Sequence, residues 1–134
     1  MKTNRSLILA LTAAFAGLSV FAQTAGKPYD WPAPARASKK PNPVASSPDS
    51  LAKGKTFYVR ECVACHGNTG KGDGPKAGEV QPKPRDLSDP AIQSQSDGAM
   101  FWKLTEGKAP MPTYAKSTED ERWSVINYVR TLKK

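Results

Sequence analysis

Five consecutive residues, Cys62-Val63-Ala64-Cys65-His66, constrain this 134-residue chain more than anything else in it. They contain its only two cysteines and its only histidine. Thiols three positions apart lie about one helical turn from each other. Each can therefore add across one of a porphyrin's two vinyl groups, while the adjoining imidazole reaches the iron from the same side. C-x-x-C-H is the attachment signature for covalent haem, and covalent attachment keeps the cofactor from being lost in an open compartment. The competing chemistries fit poorly. A structural zinc site takes four protein ligands, and the chain offers two Cys and one His. A thioredoxin-like pair sits in a β-α-β context, whereas glycine, proline and helical patterns surround this one. A disulfide, which export would permit, explains the thiols but leaves the position of His66 to chance. The expectation is one covalent haem c on Cys62 and Cys65, with His66 as an axial iron ligand.

The second axial ligand has to come from another residue type, because no second histidine exists. Methionine sulfur suits an electron-transfer iron and raises its potential. Of three methionines, Met1 leaves with the N-terminal segment. Met100 falls on the apolar face of an expected helix, where packing is its natural role. Met111 stands between Pro110 and Pro112, whose fixed φ angles and missing N–H groups make a stiff, extended loop. Met111 is the expected ligand; Met100 and an open iron are the alternatives. For the second ring nitrogen of His66, the carbonyl of Pro82 or Pro84 is the expected acceptor, and Arg85 is a candidate partner for a haem propionate.

The N-terminus has the layout of a secretory signal: Lys2 and Arg5, an uncharged apolar run from Leu7 to Val20, then the small-residue site Val20-Phe21-Ala22. Cleavage after Ala22 and a periplasmic product are expected. The alternative, an uncleaved anchor, suffers from an apolar run short for a bilayer span. Residues 23–48 are expected to be a Pro-rich extended tether; six prolines lie between Lys27 and Pro48. The folded domain is expected over 49–134. Ser47, Pro48 and Asp49 mark a helix start, and that helix reaches about Glu61 with Leu51, Gly54 and Tyr58 near one face. A short helix begins near Asp89-Pro90, and another spans Asp97 to Glu106 and stops at Gly107. Thr118 with Glu121 forms a capping-box signature ahead of Trp123, Ile126, Val129 and Leu132 at helical spacing.

The formal net charge of +8 favours acidic partner surfaces or contact with anionic lipid. It does not indicate nucleic acid, since no arginine-rich run or aromatic-plus-basic module accompanies it.

Together these residues resemble a class I, monohaem cytochrome c of the bacterial exported type. Gly54, Tyr58, Cys62, Cys65, His66 and Gly67 match that family's opening helix and haem site. Gly72-Asp73-Gly74-Pro75 and Pro82-Lys83-Pro84-Arg85-Asp86-Leu87 resemble the loop of a bacterial subgroup. Gly98-Ala99-Met100-Phe101-Trp102, Gly107, Met111-Pro112, Trp123 and Tyr128 continue the likeness, which covers about residues 50 to 132. The resemblance implies an all-α fold whose N- and C-terminal helices cross around the haem, with Gly54 at the crossing. It implies a non-enzymatic carrier of single electrons between periplasmic or membrane-bound redox partner proteins, monomeric when free. Lys71, Lys76 and Lys108 are candidate cations for steering acidic partners. The competing readings are a cytochrome subunit of a dehydrogenase or other oxidoreductase complex, a gas sensor, and a peroxidase. A peroxidase needs an open iron and distal acid–base groups that the chain does not supply.

Overall fold

The structure, a computed structural model, describes residues 31–133. The expected signal segment and its cleavage site lie outside the described residues. Within them the protein is helical, and the only β-type pairing is an isolated bridge between Lys108 and Met111. The all-α expectation holds. No described helix is long and apolar enough to cross a membrane.

The helices are α1 (Ala35–Ser38), α2 (Pro48–Glu61), α3 (Val63–His66), α4 (Pro90–Gln93), α5 (Asp97–Glu106) and α6 (Glu119–Arg130), with a short 3-10 turn at Ala77–Glu79. Their boundaries follow from local chemistry. Ser47 Oγ accepts from the Ser50 N–H, Ser50 Oγ accepts from the Ser47 N–H, and Pro48 occupies the first turn. Thr118 and Glu121 make the corresponding reciprocal box at the start of α6. Each box satisfies two donors that a helix start leaves unpaired. Ser96 caps α5, and Gly107 ends it with φ +67°.

The α2 and α6 helices pack against each other more extensively than any other pair. Phe57 and Tyr58 from α2 and Val125 and Val129 from α6 form the centre, with Cys62 at its edge. Tyr58 and Tyr128 meet with ring centroids 5.2 Å apart. On the far side of α6, Trp123 stacks on Phe101 of α5 at 3.9 Å. Gly54 lies where α2 and α6 come closest: a Cβ there would stand 2.1 Å from the Ser124 carbonyl oxygen. Because backbone lies on both sides, a side chain can be accommodated only by separating the helices. Gly54→Ala is expected to cost about 3 kcal/mol and lower Tm by more than about 10 °C. A thermal melt within a degree or two of wild type would show that the crossing has slack.

Arg130 is more than a favourable charge at a helix end. Its guanidinium donates to the carbonyls of Gln93 (2.7 Å) and Gln95 (2.6 Å) and to Asp97 Oδ1 (2.6 Å). It thereby ties the end of α6 to the turn between α4 and α5.

The expected extended tether is corrected over its described part. Residues 31–48 lie against the domain and belong to the same compact unit as the rest of the described chain. Asn42 Nδ2 donates to Asn127 Oδ1 at 2.9 Å, Asn127 Nδ2 donates to the Val44 carbonyl at 3.0 Å, and Val44 packs against the Phe101–Trp123 cluster. Proline removes backbone donors but leaves carbonyls and neighbouring side chains free, and those are the groups that dock here. Residues 23–30 lie outside the described residues.

Candidate functional site

The two motif cysteines flank the joint between α2 and α3. Cys62 caps the end of α2, and Cys65 follows on the single turn of α3, whose last residue is His66. Both thiols are free, Cys62 buried and Cys65 half-buried. Burial pushes the Cys62 thiol up to about 12, so the site favours the neutral sulfur. The disulfide alternative is not adopted in this structure.

His66 is oriented by backbone. Its Nδ1 lies 3.1 Å from the Arg85 carbonyl oxygen. A carbonyl can only accept, so Nδ1 carries the proton and Nε2 is left with its lone pair. Burial lowers the imidazole pKa, while the Arg85 carbonyl opposes that shift. The ring is therefore held in the neutral form that ligates metal. The expected acceptor, Pro82 or Pro84, is corrected to Arg85, one position beyond the second proline. The segment is placed by Gly72, where a Cβ would meet the Pro84 carbonyl oxygen at 2.3 Å, and by the Leu87 N–H, which donates to the Gly70 carbonyl.

The loop after the motif folds back over it. Gly72 N–H donates to the His66 carbonyl, Gly74 N–H to Cys65, and Lys76 N–H to Ala64, at 2.8–3.1 Å. These bonds satisfy the carbonyls that the short α3 leaves unpaired. Gly74 has no room for a side chain, since a Cβ would lie 2.4 Å from the Val63 carbonyl oxygen. The buried Tyr58 hydroxyl donates to the Gly67 carbonyl at 2.7 Å and fixes the far side of the turn; desolvation raises its pKa.

The two internal methionines lie in different surroundings. Met100 packs against both core clusters. Met111 is half-buried and belongs to neither. The Lys108 N–H donates to the Met111 carbonyl at 3.0 Å and the Met111 N–H to the Lys108 carbonyl at 2.9 Å, closing a turn over Ala109 and a cis Pro110. Beyond it, Tyr114 anchors the chain: its N–H donates to the Leu104 carbonyl at 2.9 Å, its hydroxyl to the Glu61 carbonyl at 3.1 Å, and its ring meets Phe57 edge-on at 5.6 Å.

Phe57 and Tyr114 were missed by sequence reasoning. Phe57 sits one position from Tyr58 in α2, so a coarse helical face naming Leu51, Gly54 and Tyr58 passed over it. A large aromatic three positions after Met111 in an otherwise polar loop was the available signal for Tyr114. Among the proposed steering cations, Lys71 is engaged with Asp86 at 3.4 Å and is only half-exposed, whereas Lys76 and Lys108 are exposed.

A covalent haem fits these residues. The thiols are unpaired, the imidazole presents one free nitrogen, and Val63, Leu87, Leu104 and Tyr114 pack on the same apolar cluster as Cys62. No group of three or more His, Cys, Asp or Glu side chains among the described residues could hold a bare metal ion instead.

Comparison with known proteins agrees. The family model for Cytochrome c matches residues 51–133. A chain of the Kuenenia stuttgartiensis reducing HAO-like protein complex Kustc0457/Kustc0458 is similar at 33% identity and TM-score 0.63. The match covers 69% of this chain and 47% of that one, so this chain spans about half of that relative's length. The KustC0563 c-type cytochrome is similar at 28% identity and TM-score 0.50, over 60% of this chain and 98% of its own. Among curated proteins none matches the sequence.

Proposed function

Because this chain belongs to the cytochrome c family and so carries haem-based electron transfer on a covalent c-type haem, we propose that it is a periplasmic one-electron carrier whose iron is held by His66 and Met111. The haem iron supplies the one-electron ferric/ferrous couple. The chain supplies attachment, orientation and a dry surround. Cys62 and Cys65 are the covalent anchors. The Arg85 carbonyl holds the proton on His66 Nδ1 and fixes the ring, so that the Nε2 lone pair would be available to the iron with no change of tautomer. The prolines around Met111 and its paired backbone bonds with Lys108 hold this turn in one shape, which would favour fast transfer with little rearrangement.

The observation that carries this reading is the His66–Arg85 contact beside two free cysteines. It prepares an imidazole for metal, whereas a packed core histidine needs no such combination. The N-terminal residues 1–22 and the covalent mode of attachment support export to the periplasm.

A second reading has its own support: a similar solved chain is part of a protein complex, which favours a docked cytochrome subunit over a free carrier. Purification of the native mature protein separates the two. Residues 1–22 are expected to be absent by intact mass, and the protein is expected to run as a monomer with no stoichiometric partner. A stable co-purifying oxidoreductase chain would favour the subunit. Retention of residues 1–22 in a membrane fraction would favour an anchor.

A further inference from the structure

The loop that carries Met111 grows out of the end of α5. Besides the two bonds between Lys108 and Met111, the Thr113 hydroxyl donates to the Thr105 carbonyl at 2.5 Å and the Tyr114 N–H to the Leu104 carbonyl at 2.9 Å. A Cβ on Gly107 would stand 2.6 Å from the Thr113 nitrogen, so the loop lies tight against its own helix end. These contacts shape the loop. They do not place it against the α2–α6 pair, whose α2 leads into Cys62, Cys65 and His66.

Two bonds at Tyr114 make that connection. One is its hydroxyl on the Glu61 carbonyl, next to Cys62. The other comes from Arg122 on α6, whose Nη1 donates to the Tyr114 carbonyl at 3.1 Å. The same guanidinium lies 4.8 Å from the centre of the Phe101 ring of α5. One side chain therefore joins α5, α6 and the loop.

Stability alone does not account for Arg122. It is 6% exposed, forms no ion pair with a carboxylate of the described residues, and leaves its Nε without a hydrogen-bond partner among them. A buried guanidinium of this kind carries a desolvation cost that an apolar side chain of similar volume avoids. Nor does the Tyr114 carbonyl depend on it, because the Ser117 N–H donates to the same oxygen at 3.0 Å. What the guanidinium supplies is direction: a planar donor lying over Phe101 reaches the loop from a fixed angle.

We propose that Arg122 is a positioning residue for the Met111 thioether, acting through the Tyr114 carbonyl. It sets the separation between the loop, which departs from α5, and the helix pair that leads into the haem attachment motif. Without it the loop keeps its bonds to α5 but loses one of the two Tyr114 bonds to that pair. Met111 then leaves the iron more often, and a competing ligand binds better. This inference rests on Met111 being the distal ligand.

The test uses the full-length oxidised haem protein with imidazole as the competing ligand. Arg122→Met and Asn127→Ala are compared with wild type for imidazole affinity, for the near-red sulfur-to-iron band and for the global melt. Arg122→Met is expected to keep the near-red band until imidazole is added, and to bind imidazole about tenfold more tightly. That factor is about 1.4 kcal/mol, close to what one hydrogen bond from a charged donor contributes. Should the methionine variant fail to accumulate, Arg122→Lys keeps the charge but loses the planar fork, and carries the same expectation at smaller size. Asn127 lies further along α6, where it fastens residues 31–44, a strap across α5 and α6, through Asn42 and Val44. Asn127→Ala should therefore lower the melt without moving imidazole affinity. Wild-type imidazole affinity in Arg122→Met, or in Arg122→Lys where that is the variant obtained, overturns the proposal, as does an equal shift in Asn127→Ala. The ligand reading is checked separately: if wild type lacks the near-red band and Met111→Ala changes nothing, that reading fails and this one with it. A band present in wild type and lost in Met111→Ala, beside an unchanged affinity in Arg122→Met, defeats only the role of Arg122.

Discussion

Met111→Ala is expected to turn a closed iron into an open one. Met111 is half-buried, outside both core clusters, and held in a turn fixed at both ends. Removing its thioether therefore costs little packing and leaves the fold in place. The effect falls on the iron. A thioether favours the ferrous state, so its loss lowers the potential, on the order of 100 mV within the roughly 0.8 V that axial ligands span. The oxidised protein loses its weak near-red absorption. Carbon monoxide and cyanide bind much faster than to wild type because a coordination position is available. Met100→Leu is the matched control. Met100 packs, beside Leu104, against both core clusters, which α2, α5 and α6 build, and the change nearly conserves volume, so it should cost under about 1.5 kcal/mol and leave the iron spectrum intact. The reverse pattern, in which Met100→Leu abolishes the near-red band and Met111→Ala keeps it, would reassign the ligand.

Removing both anchors is expected to have the larger structural effect. The Cys62→Ala, Cys65→Ala chain should lose covalent haem and, with it, cooperative thermal unfolding. Cys62 lies at the edge of the main core, and the fully buried large side chains among the described residues are few: Trp123, Tyr58, Phe57, Ile126 and Val125. A domain of this size buries a modest share of its surface and has little core of its own. Haem completes it. Haem staining after acid–acetone extraction reads the covalent bond, and a thermal melt followed by far-UV circular dichroism reads the fold. A cooperative, native-like melt in the double variant would mean that the polypeptide core suffices.

Much of the fold was legible because local signals and packing agree. Ser47-Pro48-Asp49, Asp97 to Gly107 and Thr118 with Glu121 each carry helix-boundary chemistry, and the helices begin and end there. Gly54 was legible through resemblance, and the 2.1 Å approach to Ser124 supplies the physical reason. The strap was not legible. A run of prolines reads locally as tether, and nothing in residues 31–48 announces that Asn42 meets Asn127, 85 positions away. The same limit hid the partner of His66. The sequence narrows the acceptor to a Pro-rich stretch, but whether Pro84 or Arg85 turns its carbonyl inward depends on how Gly72 and Leu87 stack two loops. Tyr114 was missed because its value lies in reaching the end of α2, a contact that spans 53 positions. Chemistry written in contiguous residues was readable; contacts set by long-range packing were not.

The central claim is a closed, single-electron haem iron between His66 and Met111. Optical redox titration of the mature protein, with carbon monoxide added to the reduced end point, tests it most directly. The expected result is one Nernst wave for one electron, a near-red band in the oxidised form only, and a reduced spectrum unmoved by carbon monoxide on the mixing timescale. Rapid carbon monoxide binding by the wild-type protein, with no near-red band, would contradict it and move the sensor or enzyme reading ahead.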